Sequence, residues 1–236
     1  MESNVTIKRT CNMELIEAIR ARHSVREYAD RPIEHEKIAT LRIAVEKANA
    51  ASGLNIQLVT GEPRAFASKL ATYGSFSGVS NYLVMAAPRG AAWEEKVGYY
   101  GEGIVLLAQT LGLNTCWVGL TYRKVPEAFT LGDGETVHCV ISLGYGISQG
   151  RQHPLRPMEK FYEAGEEVPE WFKAGLEAAL LAPTAVNQQK FRFILHEGDR
   201  VEAKALFSMI GYTRLDLGIA KYHFEIGAGK ENFTWA

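Results

Sequence analysis

Hydrophobic positions along the chain fall into a recurring order of helix followed by strand. Leu15, Ile16 and Ile19 form a short apolar stripe ending at Arg22, which predicts a first helix from Met13. Ile38, Leu41, Val45 and Ala48 recur at i, i+3, i+7 and i+10 and predict a second helix that stops near Ser52-Gly53. Ile56 and Leu58 alternate with polar neighbours from Asn55 to Thr60, a strand pattern closed by the turn Gly61-Glu62-Pro63. Residues 64 to 81 are Ser- and Gly-rich and are expected to hold a short helix about Phe66 to Leu70 and then a loop, before a buried strand over Leu83 to Ala87. The longest helical pattern runs from Trp93 to Leu113, with Ile104, Leu107, Ala108 and Leu111 on one face and Gly101 and Gly103 near its centre. Glycine inside a helix costs about 1 kcal/mol relative to alanine, so this pair points to a backbone or a flat ring packed closely against the helix.

Gly112 to Gly119 then reads as a helix stop running into an extended apolar piece. Val137, Cys139, Ile141 and Leu143 alternate with His138, Val140 and Ser142 as a strand. Gly144-Tyr145-Gly146 follows, but the third glycine of a dinucleotide fingerprint comes one place late, and Pro154 and Pro157 stand where its helix should open. A Rossmann site is excluded, and the segment instead supplies Arg151, His153 and Arg156 on a loop. Past Glu166 the order starts again: a helix through Trp171, Ala174, Ala178 and Leu181, a polar loop at Pro183 to Gln189, a strand from Phe191 to Leu195, and Gly218-Ile219-Ala220 ahead of a helical face at Tyr222 and Ile226. Residues 167–236 therefore read as a shortened second copy of roughly residues 33–119, which divides the chain into a first unit at 13–162 and a second at 167–236.

Composition narrows the function classes. The chain has 236 residues, 47% hydrophobic and 22% charged, enough for a sizeable core, and its net charge of −1 argues against broad electrostatic binding of nucleic acid. Three cysteines (Cys11, Cys116, Cys139) without a C-x-x-C pair suggest neither a disulfide scaffold nor a zinc site, and a cytoplasmic location is the default. No stretch approaches the roughly 20 apolar residues of a membrane helix, and residues 1–10 lack the apolar run of a signal peptide, so a soluble protein is expected. The candidate chemistry lies in Arg22-His23-Ser24-Val25-Arg26, where two guanidinia, an imidazole and a hydroxyl follow a helix exit. Arg offers phosphate a planar fork of donors and Ser adds a neutral one.

Arg22-x-Ser24-x-Arg26, Pro183-Thr184-x-x-Asn187-x-Gln189, the run Gly112 to Gly119 and the strand end Leu143-Gly144-Tyr145 together resemble the FMN-dependent nitroreductase family. The resemblance implies an α+β sandwich with a central, mostly antiparallel sheet. In that family two subunits normally pair over the flavin; here the second loop pattern is intact only in the second copy and the Arg-x-Ser-x-Arg cluster only in the first. The expectation is thus an internal pseudo-dimer, monomeric in solution, with one complete site. Carried over residue by residue, the resemblance implies that Arg22, His23, Ser24 and Arg26 hold the phosphate and ribityl end, with Arg156, or less securely Arg151 or His153, completing the clamp. Thr184 and Asn187, on a loop fixed by Pro183, would reach the flavin from across the pseudo-interface, and backbone N–H groups at Val118 and Gly119 would approach its ring. Lys69 and Asn81 are candidate ring-edge contacts. The implied activity is a ping-pong transfer of electrons from NAD(P)H through FMN to a small oxidised acceptor, a nitro compound or quinone. No side chain stands out as a general acid or nucleophile, and no metal site is indicated. Two other readings stay open at this point: a non-catalytic flavin-binding or sensing protein, and a pseudo-dimer without cofactor.

Overall fold

Helix α1 spans Leu15–Ala21 and is opened by a reciprocal capping box between Glu14 and Glu17. Helix α2 covers His35–Ser52 and stops where Gly53 takes a left-handed conformation. These and the following coordinates come from a computed structural model that describes residues 13–68 and 75–236. Lys69 and Cys11 lie outside the described residues, as does the end of the short helix expected to reach Leu70; its described part is α3, Arg64–Ala67.

Strands β1 (Asn55–Val59), β2 (Asn81–Pro88), β3 (Asn114–Val118) and β4 (Glu135–Gly144) form a four-stranded sheet in the order β1-β2-β4-β3, every pair antiparallel. Along β2, Leu83, Met85 and Ala87 enter the main core, while Tyr82, Val84 and Ala86 enter a second cluster on the opposite face. Burial on both faces is why this strand reads as a continuous apolar run instead of an alternating one. The main-core face is covered by helix α4 (Ala91–Thr110), and the other by Phe66, Phe76 and the segment carrying Val25 and Tyr28.

The second half contributes β5 (Tyr162–Glu163), helix α5 (Glu170–Leu180), β6 (Phe191–His196), β7 (Arg200–Ala205), helix α6 (Thr213–Ala228) and β8 (Thr234–Trp235). Its sheet runs β5-β6-β7-β8, with an antiparallel centre and parallel outer pairs. Strand β7 escaped the sequence reading although Arg200, Glu202 and Lys204 alternate with Val201 and Ala203. Helix α6 also begins earlier than its expected start near Gly218.

Helices α4 and α6 meet backbone to backbone. A Cβ on Gly98 would lie 2.0 Å from the Leu215 carbonyl oxygen, and a Cβ on Gly218 would lie 2.0 Å from that of Glu95. The reciprocal pair lets the two central helices touch without intervening side chains. Of the two close approaches expected at Gly101 and Gly103, a backbone or a ring, both are rings: a Cβ on Gly101 would meet the Trp117 ring at 2.5 Å, and one on Gly103 the Tyr222 hydroxyl at 3.1 Å.

Candidate functional site

The basic segment leaves α1 in extended form and runs along the edge of the first sheet. Ser24 bridges Thr115 of β3, and the Val25 amide donates to the Thr115 carbonyl oxygen at 3.0 Å. Val25 and Tyr28 turn into the core beneath, where the Tyr28 hydroxyl bonds the Val25 carbonyl oxygen and Ser142 at 2.8 Å each. Ser24 and Arg26 consequently turn outward. Gly150, at φ +72°, lets the 146–150 loop close over the segment; a Cβ there would sit 2.9 Å from that of His23.

Two clefts adjoin along this segment and share Ser24, Arg26, Pro183, Thr184 and Val186. The first, about 580 Å³ with its open mouth, is walled by Trp117, Val118 and Gly119 of the β3 end and by Leu215, Asp216 and Ile219 of α6. The Tyr212 ring closes one side, so near Gly119 that a Cβ there would meet its hydroxyl at 2.6 Å. The second, about 1020 Å³, adds Arg22, His23, Arg151, His153 and Asn187, with no carboxylate in its lining. Together they make one elongated cleft, apolar at one end and cationic at the other.

Behind the cationic end lies a buried charge cluster. Arg22 is 3% exposed, and its Nε stands 3.6 Å from the Glu102 carboxylate, too far for a hydrogen bond. Its Nη2 donates to the Leu181 carbonyl oxygen at 3.4 Å, and burial lowers its pKa from the ordinary value. Glu102, fully buried on α4, accepts from Trp117 Nε1 at 2.9 Å and meets His223 Nε2 at 2.8 Å. His223 Nδ1 faces the Ala178 carbonyl oxygen at 3.0 Å and so must carry hydrogen; a carboxylate facing Nε2 then requires a further proton in that contact. Two side-chain nitrogens on the cleft wall, Arg22 Nε and His153 Nε2, are buried without a hydrogen-bond partner. The unpaired guanidinium N–H of Arg22 suits an anion, and His153 Nε2 joins it in the tautomer that places hydrogen on that nitrogen. Burial, and then the Arg22 charge, also hold the His23 pKa below its usual value.

The opposite wall is the Pro183–Gln189 loop. Val186, Asn187 and Gln189 take φ of 46°, 54° and 47°, and Val186 is 76% exposed despite being β-branched. Such backbone persists only where the surroundings impose it. Thr184 Oγ1 accepts from the Gln189 amide at 3.1 Å, and the Asn187 and Gln189 side-chain amides both donate to the Pro154 carbonyl oxygen, at 3.2 and 2.9 Å.

Asp216, 2% exposed in the first turn of α6, anchors the loop from below. Its Oδ1 accepts from the Ala185 amide at 3.0 Å, and its Oδ2 from Gln188 Nε2 at 2.7 Å. Burial outweighs these bonds and pushes its pKa up to about 7. Between the unfolded value, 3.8, and about 7 the folded chain holds a proton that the unfolded chain has released. Stability therefore falls as pH rises through this window, by up to about 4 kcal/mol. Melting curves from pH 4.5 to 8 are expected to show this component of decline in the wild type and to lose it in Asp216→Asn.

Of the residues singled out in the sequence, Arg22, His23, Ser24, Arg26, Val118, Gly119, Pro183, Thr184 and Asn187 all line one or both clefts. Arg151 and His153 do as well, whereas Arg156 is exposed and lines neither. Asn81 lies in a separate groove beside Arg31 and Arg42. Sequence reading missed Trp117 as a wall, Tyr212, Asp216 and the buried Glu102–His223 pair. A charged residue within the otherwise apolar face of a glycine-bearing helix was the available signal for Glu102 and Asp216.

Paired central helices between two sheets, with a cleft built from the Arg22–Arg26 segment and the Pro183–Gln189 loop, define an α+β protein with the nitroreductase fold. The family model described as "Putative TM nitroreductase" matches residues 14–228, and the chain belongs to that family. A crystal structure described as a "putative nitroreductase" from Thermotoga maritima is 23% identical, with a TM-score of 0.70 over 98% of this chain and 90% of that one. NfrA1 nitroreductase from Bacillus subtilis is 15% identical with a TM-score of 0.52, covering 66% of this chain and 76% of its own. Nitroreductase A from Vibrio parahaemolyticus is 18% identical with a TM-score of 0.51, covering 61% and 72%. No curated protein matches the sequence. Among the described residues, no helix is long and apolar enough to cross a membrane, and no cluster of His, Cys, Asp and Glu could hold a metal ion.

Proposed function

We propose that the chain is an FMN-dependent oxidoreductase of the nitroreductase type, with one flavin site per chain formed between its two unequal halves. The observation that carries this reading is the continuous cleft: three segments far apart in sequence converge on it, cationic with a buried, unpaired Arg22 N–H at one end and apolar and ring-walled at the other. When bound, FMN supplies the redox chemistry, taking hydride from NAD(P)H and passing electrons to a small oxidised acceptor, a nitro compound or quinone, in a ping-pong cycle. Arg22, His23, Ser24 and Arg26 hold the phosphate and ribityl end, joined by Arg151 and His153 in preference to the outlying Arg156. Thr184 and Asn187 hold the opposite edge, with Pro183 shaping their loop. Val118 and Gly119 present backbone to the ring, and Trp117, Leu215 and Ile219 keep water from its face. Because both halves contribute to one site, an intramolecular pseudo-dimer needs no second chain to complete it.

The test is the visible spectrum of the purified protein, with the mass of whatever denaturation releases, followed by NADH and NADPH consumption. A yellow protein releasing FMN at one per chain and consuming a nicotinamide donor is the expected result. Two FMN per chain overturns the single site, and one FMN without donor consumption favours a flavin-binding or sensing role. A colourless chain that does not take up added FMN overturns the flavin reading.

A further inference from the structure

We propose that Asp216 is a positioning residue of the cleft, whose two carboxylate oxygens hold the Pro183–Gln189 loop in the left-handed geometry that presents Thr184 and Asn187 to the cofactor. The proposal rests on reading the cleft as a flavin site, but its structural basis is independent of that reading. Ala185 and Gln188 flank Val186 and Asn187, two of the loop's three left-handed residues, and both donate to Asp216. The anchor therefore grips the loop on each side of its αL turn. Gln188 Nε2 also donates to the Gly211 carbonyl oxygen at 2.9 Å, which fixes the amide orientation and leaves its Oε1 without a partner. The amide thus meets Asp216 as a donor, and only an acceptor can answer it.

Nothing in the core of the fold asks for this carboxylate. Among the described residues Asp216 has no ion-pair partner, and its neighbours on the cleft wall are Leu215 and Ile219. Its α6 position continues the helix through its own amide, bonded to the Tyr212 carbonyl oxygen at 2.8 Å, which any residue could provide. A buried, solitary carboxylate opposes folding, so its purpose lies in the bonds it makes to the loop. The groups facing it are Gln188 and the Ala185 amide from the loop and Cys139 from β4, while Tyr212 and Arg26 line the same cleft.

Asparagine at this position keeps one acceptor for the Ala185 amide and turns an amide donor toward the Gln188 donor. The test measures FMN affinity of cofactor-stripped protein by flavin fluorescence quenching for wild type, Asp216→Asn, Gln188→Leu and the double variant, with melting temperatures at pH 8. Each single substitution is expected to weaken FMN binding about tenfold, the loss of a hydrogen bond to a charged group. The double variant is expected to be no more than about threefold worse than the weaker single one, because both remove the same contact. The melting temperature of Asp216→Asn at pH 8 should hold or rise, since a costly buried charge has gone; a merely structural residue would lose affinity and stability together. The ratio of the Asp216→Asn and wild-type FMN constants should also change between pH 5.5 and 8.5, because only the wild type titrates at this position. His23 and His153 are common to both proteins, so their contributions cancel from the ratio.

Unchanged FMN affinity in Asp216→Asn, a multiplicative loss in the double variant, or a constant ratio across pH overturns the proposal. If the wild type binds no FMN, the flavin reading falls, and hydrogen exchange in the cofactor-free protein judges the anchor instead. Faster exchange across residues 183–190 in Asp216→Asn then supports it, and unchanged exchange overturns it.

Discussion

Replacing Glu102 by alanine is expected to cost about 3–5 kcal/mol of stability, the range for removing one partner of a buried ion pair. The side chain is fully buried and gathers three cationic or donor groups: Arg22 at 3.6 Å, His223 Nε2 at 2.8 Å and Trp117 Nε1 at 2.9 Å. Its loss leaves the Arg22 guanidinium, itself 3% exposed, without a nearby countercharge and strands the indole N–H. Denaturant midpoints with an unchanged m-value would measure the effect. Removing the cation together with the anion, as Arg22→Met with Glu102→Leu, should cost less than Glu102→Leu alone, because an apolar pair requires no compensation. Equal loss in the two would show that charge is not what Glu102 supplies. The cluster spans both ends of the cleft, since Trp117 walls the apolar end and Arg22 the cationic one. The Glu102→Ala protein that remains folded should therefore also bind FMN more weakly.

Gly218→Ala is expected to be nearly as damaging although it adds a single methyl group. The new Cβ would fall 2.0 Å from the Glu95 carbonyl oxygen and 2.8 Å from the Tyr99 amide nitrogen. These are backbone atoms, and no rotamer change relieves the clash; α4 and α6 must separate. Overpacking of a tight interior typically costs about 1–3 kcal/mol and occasionally more, and a rigid helix contact belongs at the upper end. Gly98→Ala should behave alike, since its Cβ would meet the Leu215 carbonyl oxygen at 2.0 Å. Gly165→Ala is the control: nothing lies within 4 Å of a Cβ there, and its midpoint should barely move. Similar midpoints for all three variants would refute the close crossing. Because Leu215 and Asp216 sit on the same turn as this crossing, helix separation would also displace a wall of the cleft.

Much of this molecule was legible in local pattern. The spacing Ile38, Leu41, Val45, Ala48 became α2, with Gly53 as its stop; the alternation over Val137 to Leu143 became the heart of β4; and Gly101 and Gly103 met the rings their cost in helix propensity implied. The phosphate-seeking chemistry of Arg22 to Arg26 was visible in its residue types and the Pro-Thr-x-x-Asn loop through the family resemblance, and both line the cleft. What local pattern left out is of another kind. Strand β7 is the exception, since its alternation of Arg200, Glu202 and Lys204 with Val201 and Ala203 is itself local.

Glu102 and Asp216 showed in the sequence only as charges on the apolar face of glycine-bearing helices, and His223 gave no signal. Each is one polar residue in a helix, and its meaning arises only when a helix from the other half of the chain brings a carbonyl, an indole or a loop amide to it, as His223 reaches Glu102 across 121 positions. The choice among the basic residues was decided in the same way. The family resemblance favoured Arg156 over Arg151 and His153, whereas the fold, with Gly150 packed on His23, puts the latter two in the cleft and leaves Arg156 in solvent. Sequence alone thus determined most of the elements and the residue types offered to the cleft, because helix period, strand alternation and side-chain type are local properties. Tertiary structure decided which charges are buried, what they face and which residues meet in one cleft, because electrostatics and packing act through space between segments that no spacing rule connects.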